Sequence, residues 1–557
     1  MENKCWYKEM AVYQIWPRSF CDGNGDGIGD LWGVLSKLDY IASLNVDGIW
    51  FSPLFPSPNA DFGYDISDYR NIHPDYGDLE VFKQVLDGAH ERGLRVFMDL
   101  VVNHTSDEHP WFKESRKSKN NPYHDYYYWR KGKSGRRPPN NWDSLFEGGA
   151  WEYDKDLDEY YLHIFSKKQP DLNMSNPKVR EEVKDIMRFW LDMGVDGFRE
   201  DVITYISKPD DLPSAKVKLP AATGMQFYAD GPKVHEYLAE FKRDVLDFYD
   251  CFTVGEGPRM EPDVALKYIE EGPNKVLDMM FHFQHMEADC FITDFLQRPF
   301  DLLKLKKAFS KWQYALHGRA WNALYLENHD HPRVISRFGS EKYRTESGKM
   351  LAASYLFQCG TPFVYQGQEI GMLNNPLPSV DMYADVMTKN NCRIARKFGF
   401  PKSVVLKMAQ KSSRDNARTP VQWSGEPNGG FSKVKPWFYV NDNYRQINVE
   451  SQLDDPDSLL NFYRTALQFR RDNPIVVYGD YKEHLPKSRQ LYVYERNYRG
   501  KKLLVVCSFT AEAVRFDAPE GIRLEEGDQV FGNYPRSVVI SNGFTTRPYE
   551  MRVYYFK

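Results

Sequence analysis

Acidic side chains recur where short apolar runs of the sequence, each typical of a buried strand, come to an end. Asp201 closes the run at 197–201, Glu256 closes the run at 253–256, and Asp330 closes the triplet Asn-His-Asp at 328–330. Asp99 lies in a fourth run of this kind, ahead of the other three. Carboxyl groups that converge at the strand ends of one barrel can cleave glycosidic bonds, one as nucleophile and another as acid/base.

The two reacting acids of such a site must differ in protonation state at one pH. Arg199 and Asp201 are two residues apart on a predicted strand, so their side chains point to the same face. A neighbouring guanidinium favours the ionised form of a carboxyl group. We therefore expect Asp201 to be the ionised member of the pair. A lone Asp is more often a solvated loop residue or a helix N-cap, so the ordered set of acids supports the interpretation.

The elements that must position these acids follow one repeating pattern. Apolar, β-rich runs alternate with amphipathic stretches typical of helices, such as 79–92, 178–193, 233–249 and 346–358. Eight strand-then-helix units predict an α/β fold built on a (β/α)₈ TIM barrel. No GxGxxG follows the first strand, which disfavours a dinucleotide-binding fold. The predicted strands are 11–16, 46–51, 94–101, 195–199, 252–255, 276–280, 323–326 and 362–365.

Two segments depart from that repeat and predict further domains. Residues 105–173 form a polar, aromatic-rich excursion after the third strand, which we expect to be a small inserted domain beside the active site. The last stretch, 479–557, alternates apolar and polar residues and predicts an antiparallel β-sandwich domain. The catalytic barrel then comprises residues 1–104 and 174–478.

Composition and charge exclude several classes of protein. Apolar residues make up 42% and charged residues 27% of the 557-residue chain, which is ordinary for a globular protein. The net charge of −5 comes without a long basic run, so a nucleic-acid partner is not expected. The seven cysteines lack CxxC spacing, and the chain shows neither a signal-peptide core nor a membrane-spanning apolar run. We expect a cytoplasmic protein, a monomer, with no membrane partner.

Four motifs, taken together, carry a resemblance to a known family. The chain resembles glycoside hydrolase family 13, the α-amylase family, and within it the oligo-1,6-glucosidase and dextran glucosidase group. The resemblance extends over nearly the whole chain. The motifs are Tyr13-Gln14-Ile15-Trp16-Pro17, Gln169-Pro170-Asp171-Leu172-Asn173, Tyr365-Gln366-Gly367-Gln368-Glu369-Ile370-Gly371 and Arg418-Thr419-Pro420-Val421-Gln422-Trp423.

The resemblance implies a role for each acid and for the residues around them. Asp201 would be the nucleophile, Glu256 the acid/base, and Asp330 the residue that holds the sugar hydroxyls and favours the distorted ring. It also implies that Asp61 and Arg418 form a salt bridge that closes the pocket, with Arg414 as the alternative partner, and that Asp99 supports the site from below. The substrate-binding residues implied are Asp61, Tyr64, His104, Phe165, Arg199, His329 and Arg418.

A loop after the first strand has the opening pattern of a calcium loop, with oxygen side chains at alternate positions and glycines between them. It departs from an EF-hand at the twelfth position, which is Gly33. The resemblance implies a structural Ca²⁺ or Mg²⁺ here and no cofactor for catalysis. The alternative is a metal-free Asx turn. The implied ligands are Asp22, Asn24, Asp26, Asp30 and the Ile28 carbonyl.

Several positions depart from, or vary within, the pattern of the group. Glu200 stands where an apolar residue is usual and faces the helical layer by strand alternation, so we expect it to have a partner. Gly257 and His331, directly after the second and third acids, leave the preference for the leaving sugar open. Val202, directly after the nucleophile, accompanies α-1,6 preference in members of the group.

The implied activity is that of a retaining, exo-acting α-glucosidase that cleaves terminal α-1,6 links of short isomalto-oligosaccharides. Alternatives in the same family are a trehalose-6-phosphate hydrolase, a sucrose isomerase and a broad-specificity α-glucosidase. The isomerase is disfavoured because 284–294 lacks its Arg-Leu-Asp-Arg-Asp segment. A catalytically silent interaction protein would lack the three acids and would carry a membrane anchor. This sequence has Asp201, Glu256 and Asp330 and shows no membrane-spanning apolar run. The expected partner is therefore a small oligosaccharide.

Overall fold

The computed structural model describes residues 5–134, 137–146, 148–217, 222–291, 293–536 and 539–557. Its strands and helices follow the alternation that the sequence predicts. The first eleven strands are β1 (Val12–Ile15), β2 (Gly48–Phe51), β3 (Arg95–Leu100), β4 (Trp129–Arg130), β5 (Trp151–Asp154), β6 (Glu159–Leu162), β7 (Gly197–Glu200), β8 (Phe252–Glu256), β9 (Met279–Phe281), β10 (Trp321–Leu324) and β11 (Thr361–Tyr365).

Within these described ranges, eight parallel strands close a barrel in the order β1, β11, β10, β9, β8, β7, β3, β2. Each predicted run contributes one strand, so the predicted TIM barrel is confirmed. The strands are buried on both faces because side chains fill the barrel interior and helices cover its outside. The register places Asp99 of β3 opposite Arg199 of β7.

Helices cover the barrel, and their ends follow from local sequence. The helix at 177–193 begins at Asn176, whose side chain accepts the Lys178 N–H, and ends at Gly194, whose φ of 108° suits glycine. The α-helices are α1 (Leu31–Ser36), α2 (Leu38–Ser43), α3 (Leu79–Glu91), α4 (Pro110–Ser115), α5 (Pro177–Met193), α6 (Met225–Tyr228), α7 (Val234–Asp244), α8 (Pro262–Ile269), α9 (Leu302–Leu316), α10 (Val334–Phe338), α11 (Arg344–Leu356), α12 (Val386–Lys397), α13 (Lys402–Ser412), α14 (Glu450–Leu453), α15 (Leu459–Asp472) and α16 (Pro474–Tyr478).

The excursion after β3 carries its own small sheet. Strands β4, β6 and β5 pair antiparallel, and β6 lies in the middle. An aromatic cluster that includes Trp142, Trp151 and Tyr160 packs behind it. The cluster also includes Tyr205 and Tyr228 from the segment after β7, so the inserted unit shares its core with that segment, while the domain boundaries given above stay a prediction.

The C-terminal segment is antiparallel, as the alternating pattern predicts. One sheet has the order β12, β13, β14, β18, β16, and β15 pairs with β17 beside it. Leu504, Val506 and Phe516 belong to the core between them. These strands are β12 (Asp480–His484), β13 (Leu491–Tyr498), β14 (Lys501–Ser508), β15 (Arg515–Asp517), β16 (Asp528–Gly532), β17 (Gly543–Thr545) and β18 (Met551–Phe556).

Among the residues placed by the structure, we find no helix with the length and apolar character needed to cross a bilayer.

Candidate active site

The strand ends bring the predicted acids to one end of the barrel. Asp201 follows β7 directly, Glu256 is the last residue of β8, and Asp330 lies six residues beyond the end of β10. All three residues are placed at the carboxyl ends of parallel strands, where barrel enzymes carry their active sites. Asp201 and Glu256 are buried, while the Asp330 side chain keeps 27% of its surface exposed. Of the three acids, Asp330 therefore has the most solvent-accessible side chain.

Arg199 holds the acids together. Its Nη1 lies 2.7 Å from Asp99 Oδ1 and 2.6 Å from Asp201 Oδ1, and its Nη2 lies 2.8 Å from Glu256 Oε2. Burial raises the pKa of Asp201, and the Arg199 guanidinium opposes that rise. Burial likewise raises the pKa of Asp99, to about 6. Because full ionisation of three buried carboxyl groups around one cation is costly, the cluster favours keeping a proton, as acid/base chemistry requires.

The backbone after the nucleophile also contacts the acid/base. The Val202 N–H donates a 3.0 Å hydrogen bond to Glu256 Oε2. Val202 has φ 36° and ψ 38°, in the left-handed region that a β-branched residue seldom adopts. Strained backbone of this kind clusters at functional sites, where the surrounding structure enforces it. The turn after β7 thus fixes Glu256 relative to Asp201.

Asp330 is held by two arginines and a histidine. Its Oδ1 lies 3.0 Å from Arg414 Nη1 and 2.9 Å from Arg418 Nη2, and its Oδ2 lies 3.2 Å from His329 Nε2. Burial acts to raise the pKa of Asp330, but these neighbours outweigh it and hold that pKa well below its usual range. Asp330 is therefore ionised, the state that accepts hydrogen bonds from sugar hydroxyls.

His329 is the centre of the pocket floor. Its ring is stacked between Trp16 and Tyr64, with both ring centroids 5.4 Å away. Tyr64 Oη lies 2.6 Å from His329 Nε2 and donates to Asp99 Oδ2 at 3.0 Å. Burial lowers the pKa of His329 to about 4, so the ring is neutral near pH 7. Tyr64, a predicted substrate-binding residue, thus forms one contiguous layer with His329 and Trp16.

The rim of the pocket is closed by Asp61 and Arg414. Arg414 Nη2 lies 3.2 Å from Asp61 Oδ1, and Gln169 Nε2 donates to Asp61 Oδ2 at 3.2 Å. The prediction that Arg418 pairs with Asp61 is therefore wrong. Arg418 is fully buried and its Nε donates to the His329 carbonyl at 2.9 Å, which directs its guanidinium to Asp330 instead.

His104 and Phe165 form the wall next to this rim. His104 Nε2 lies 3.2 Å from both Gln169 Nε2 and the carbonyl oxygen of Tyr64. The Phe165 ring centroid is 5.2 Å from that of His104. Burial lowers the pKa of His104 to about 4. His104 thus contacts the same Gln169 amide as Asp61 does, and Phe165 packs next to His104.

Asp385 belongs to the site and was not predicted from the sequence. Its Oδ1 lies 2.6 Å from Arg414 Nη2 and 3.8 Å from Arg418 Nη1. Burial acts to raise the pKa of Asp385, but the two arginines lower it to about 2. Asp385 also caps α12 by accepting the Met387 and Thr388 N–H groups. In sequence it therefore looks like an ordinary N-cap, and no local signal marks its second role.

Glu200 lacks the partner that the sequence analysis expects. Both of its carboxyl oxygens are buried without a hydrogen-bond partner in the described ranges, and the residue is fully buried. Burial, together with the negative charge of Asp278, raises the pKa of Glu200 to about 8. The acid stays protonated near pH 7, which explains how the fold tolerates it without a cation.

The three predicted specificity positions differ in what they face. Val202 is buried beside the aromatic cluster of the inserted unit. A side chain at Gly257 would meet Met260 and Met280 within 3.0 Å, so that position points into packed side chains. His331 lines a large groove next to the catalytic acids. Of the three, His331 is thus the position that lines an open groove.

The predicted metal loop closes on itself. Asp22 Oδ1 and Oδ2 accept the N–H groups of Gly25 and Gly27 at 2.6 and 2.9 Å, and Asp26 Oδ1 accepts the Ile28 N–H at 2.8 Å. Asp30 accepts the Gly33 N–H and caps α1. The oxygen donors suit calcium in kind, but no three His, Cys, Asp or Glu residues of the described ranges are arranged to hold a metal. The geometry is that of the Asx turn that the sequence left open.

The arrangement of these side chains suits the cleavage of a glycosidic bond. Arg199 binds the carboxyl groups of Asp201 and Glu256. One of these groups can act as a nucleophile and the other as a proton donor. The ionised Asp330 and the neutral His329 and His104 offer hydrogen-bonding atoms to hydroxyl groups. The Asp61–Arg414 pair limits how far a ligand can extend past them.

Comparisons with known proteins agree with this chemistry. Residues 14–479 match the family model for the alpha amylase catalytic domain. The chain is 48% identical to the oligo-1,6-glucosidase of Parageobacillus thermoglucosidasius, with 99% of both chains covered. The solved trehalose-6-phosphate hydrolase of Bacillus licheniformis superposes with a TM-score of 0.95 at 43% identity, covering 99% of this chain and 100% of that one.

A third similar protein has a solved structure, and its name gives a different activity. The isomaltulose synthase of Erwinia rhapontici NX5 superposes with a TM-score of 0.94 at 38% identity, and 100% of both chains is covered. Relatives with three different names thus share this fold over nearly their whole length. The family match, the full-length relatives and the carboxyl groups at the strand ends agree, and the chain belongs to the α-amylase family of glycoside hydrolases.

Proposed function

We propose that this glycoside hydrolase is a retaining, exo-acting α-glucosidase that cleaves terminal α-1,6 links of isomaltose and short isomalto-oligosaccharides. The observation that carries the proposal is the shared guanidinium: Arg199 binds Asp201 through Nη1 and Glu256 through Nη2. That arrangement holds the two carboxyl groups close together, in keeping with the separation of about 5–5.5 Å that a retaining pair requires. Relatives named oligo-1,6-glucosidase support the choice of linkage.

In the first half of the reaction, an Asp201 oxygen attacks the anomeric carbon of the terminal glucose. The bond from that carbon to the leaving oxygen breaks, and Glu256 gives its proton to that oxygen. The developing positive charge lies next to Asp201, whose pKa burial raises, and the Arg199 contact favours its carboxylate form against that effect. The products of this half are a β-glucosyl ester on Asp201 and the shortened saccharide.

In the second half, Glu256 takes a proton from water while the water oxygen attacks the same anomeric carbon. The ester bond to Asp201 breaks and the carboxylate is restored. Two inversions give glucose with the α configuration. The Val202 N–H bond to Glu256 Oε2 keeps the acid/base in place through both halves.

Exo action follows from the rim. The Asp61–Arg414 pair and Asp385 behind it stand at the far side of the site, and the pair is almost fully buried. A chain that continued past the terminal glucose would have to separate this pair and leave buried charges unpaired, which is costly. The non-reducing end of the substrate therefore stops here.

The α-1,6 preference rests on Val202. Val202 follows the nucleophile directly and is buried, and its β-branched side chain would narrow the space beside the anomeric centre. A sugar attached through a ring hydroxyl leaves close to the ring, whereas an α-1,6-linked sugar has an extra methylene. Packing differences of this kind change specificity by about 10- to 200-fold.

The charges near the leaving side argue against a phosphorylated substrate. The groove lined by His331 contains the cations Arg259, Lys304, Lys307 and Lys311, but the acids Glu261, Glu287 and Asp294 line it as well, and Glu261 pairs with Lys311. A phosphate of about two negative charges is best held by cations that lack such acidic neighbours. We therefore favour a neutral sugar over trehalose 6-phosphate.

Initial rates on isomaltose, maltose, sucrose, trehalose, trehalose 6-phosphate and panose test the proposal. Isomaltose should exceed maltose in kcat/KM by about tenfold or more, and sucrose should give glucose and fructose rather than an isomer. Faster hydrolysis of trehalose 6-phosphate than of isomaltose would contradict the α-1,6 assignment. The bound Ca²⁺ or Mg²⁺ at Asp22–Asp30, the monomeric state and the cytoplasmic location stay predictions.

A further inference from the structure

Two helices after Asp385 form a hairpin that contains no acidic residue. α12 ends at Lys397 and α13 begins at Lys402, and their buried side chains belong to one small apolar cluster. Residues 386–413 hold seven cations and no Asp or Glu, although the net charge of the chain is −5. The hairpin is therefore a concentrated basic surface on a protein that is acidic elsewhere. The cations are Lys389, Arg393, Arg396, Lys397, Lys402, Lys407 and Lys411.

The cations of the hairpin face solvent. All seven residues are exposed, and within the part of the chain that the structure describes, the six other than Arg393 form no salt bridge. On α12 the cations recur at helical spacing, so they share one side of the helix, opposite the buried Thr388, Cys392 and Ala395. Charges of one sign repel one another, and an anionic partner relieves that repulsion.

The turn between the two helices presents an aromatic ring to water. Phe398 is 79% exposed, more than any other large apolar side chain in the described ranges, and Phe400 and Val404 are 37% and 38% exposed. Nine consecutive residues, 396–404, are exposed, and Gly399, with φ 86°, allows the chain to reverse direction there. Neighbouring exposed apolar groups of this kind are typical of an interaction site.

An apolar depression of about 390 Å³ lies beside α13 and repeats the pattern of the turn. Its charged lining residues in the described ranges are Arg298, Lys407 and Lys411, all of them cations. The depression thus joins apolar surface to positive charge, as the turn does. Its apolar lining residues are Phe291, Phe295, Leu296, Val404 and Met408.

The combination of cations with an exposed ring distinguishes between classes of anionic partner. An acidic polymer supplies negative charge but leaves the Phe398 ring in water. The boundary of an anionic lipid bilayer supplies both components, because headgroup phosphates attract Lys and Arg while the layer beneath them accepts aromatic side chains. The charge and the exposed ring of the hairpin therefore match a bilayer surface.

We propose that the hairpin formed by α12 and α13 docks this protein on the surface of an anionic lipid bilayer. Phe398 enters the headgroup layer, and the basic residues around it contact lipid phosphates. Such a contact needs no spanning helix, so it departs from the expectation of no membrane partner, which considered spanning segments alone. The turn lies about 18 Å along α12 from Asp385, and docking there leaves the contacts of Asp385 with Arg414 in place.

Cosedimentation of the full-length protein with lipid vesicles tests the proposal. Vesicles of one part phosphatidylglycerol to two parts phosphatidylcholine should bind the protein at least about tenfold more tightly than phosphatidylcholine alone at about 0.05 M salt, and about 0.5 M salt should abolish the difference by screening. Each basic residue near an anionic surface contributes about fivefold to binding. Lys397→Gln combined with Lys402→Gln should therefore weaken binding by about tenfold or more, and Phe398→Ser should weaken it several-fold.

Matched variants remove the same groups from other surfaces. Lys83→Gln combined with Lys487→Gln lowers the total charge equally at two exposed positions. Phe248→Ser removes a ring that is 77% exposed. Neither variant should change vesicle binding. Melting temperatures and kcat/KM on p-nitrophenyl α-glucoside should stay at wild-type values in the hairpin variants and in these controls, since none of the altered residues contacts the catalytic acids.

Three results would overturn the proposal. The first is no binding to the anionic vesicles at low salt, and the second is equal binding to vesicles of phosphatidylcholine alone. The third is binding that Phe398→Ser leaves unchanged and that polyglutamate or RNA matches in affinity, because the basic surface would then serve an acidic polymer or protein. Vesicle binding is measured without any glucoside, so its outcome is independent of the proposed α-glucosidase function.

Discussion

The backbone N–H of Val202 donates a 3.0 Å hydrogen bond to Oε2 of Glu256. One residue thus links the two reacting acids, since Val202 is covalently attached to the nucleophile and hydrogen-bonded to the acid/base. Its left-handed backbone, with φ 36°, directs that N–H across the pocket. The proposed determinant of linkage preference and the placement of Glu256 therefore share the same position.

Val202→Thr should narrow the preference for isomaltose over maltose. Thr keeps the β-branch and nearly the same size, so the backbone strain is matched, and its hydroxyl group can hydrogen-bond a leaving sugar that is attached through a ring hydroxyl. We expect wild-type enzyme to favour isomaltose by about tenfold or more, and the variant to reduce that ratio mainly by a higher maltose turnover. Kinetics on both disaccharides check this. A wild-type preference for maltose would show that other residues decide the linkage.

Asp61→Asn should weaken binding of the terminal glucose. The substitution keeps the shape of the side chain but removes the charge that faces Arg414 at 3.2 Å. Hydrogen bonds to charged groups contribute about 1.5–3 kcal/mol, so kcat/KM on isomaltose should fall by roughly ten- to a hundredfold, mostly through KM. The surface variant Asp39→Asn is the control. A variant with wild-type KM would refute the assignment of Asp61 to the glucose pocket.

Glu200→Gln should change how stability depends on pH. The folded pKa of Glu200 is about 8, above the ordinary value of about 4.3. Between these values the folded state holds more protons than the unfolded state, so the free energy of unfolding falls as pH rises. Gln cannot ionise and escapes that loss, which amounts to a few kcal/mol at most.

Melting temperatures at pH 5, 6.5 and 8 measure this effect. The Gln variant should gain on wild-type enzyme as pH rises, with the largest difference at pH 8 and above. Glu520→Gln, at an exposed position, serves as the control and should show no such trend. A constant difference between Glu200→Gln and wild-type enzyme across this range would mean that Glu200 has a partner in solution.

Chelation tests the loop at residues 22–30. If the loop carries a structural cation, excess chelator should lower the melting temperature and leave the rate of folded enzyme on isomaltose nearly unchanged, because the loop holds none of the catalytic acids. The loop carboxylates repel one another without metal, which is the physical reason for the expected loss. An unchanged melting temperature in metal-free enzyme would favour the self-closed Asx turn.

The barrel and the acids could be predicted because their signals are local. Asp201 and Glu256 stand where apolar runs of the sequence end, so both the strands and their acids can be recognised locally. Strand alternation then places Arg199 and Asp201 on one face. The structure confirms all eight barrel strands. Their parallel order then brings the strand ends together without further information from the sequence.

The choice between Arg414 and Arg418 could not be made in this way. Both arginines lie in a short irregular segment that follows α13. The directions of their side chains depend on contacts with residues that are distant in sequence. Arg414 begins a 3₁₀ turn and reaches Asp61, while the Arg418 guanidinium packs 4.5 Å from the Trp16 ring centroid. Asp385 binds Arg414 and fixes its direction. In the sequence, however, Asp385 cannot be distinguished from an ordinary helix N-cap residue.

The sequence also could not predict that Glu200 lacks a hydrogen-bond partner among the described residues. Strand alternation predicts correctly that its side chain leaves the pocket, and burial of a charge then predicts a cation nearby. The fold resolves the conflict by protonation instead, and a pKa shift of this size depends on packing that the sequence does not display.

The anomer of the first glucose released from isomaltose tests the central claim most directly. Asp201 as nucleophile and Glu256 as acid/base, held by one guanidinium, predict α-glucose as the initial product, followed by slow mutarotation in the NMR spectrum. Asp201→Asn should abolish this release while the melting temperature stays close to that of wild-type enzyme. Initial β-glucose, or appreciable turnover by Asp201→Asn, would contradict the retaining mechanism and the role given to Asp201.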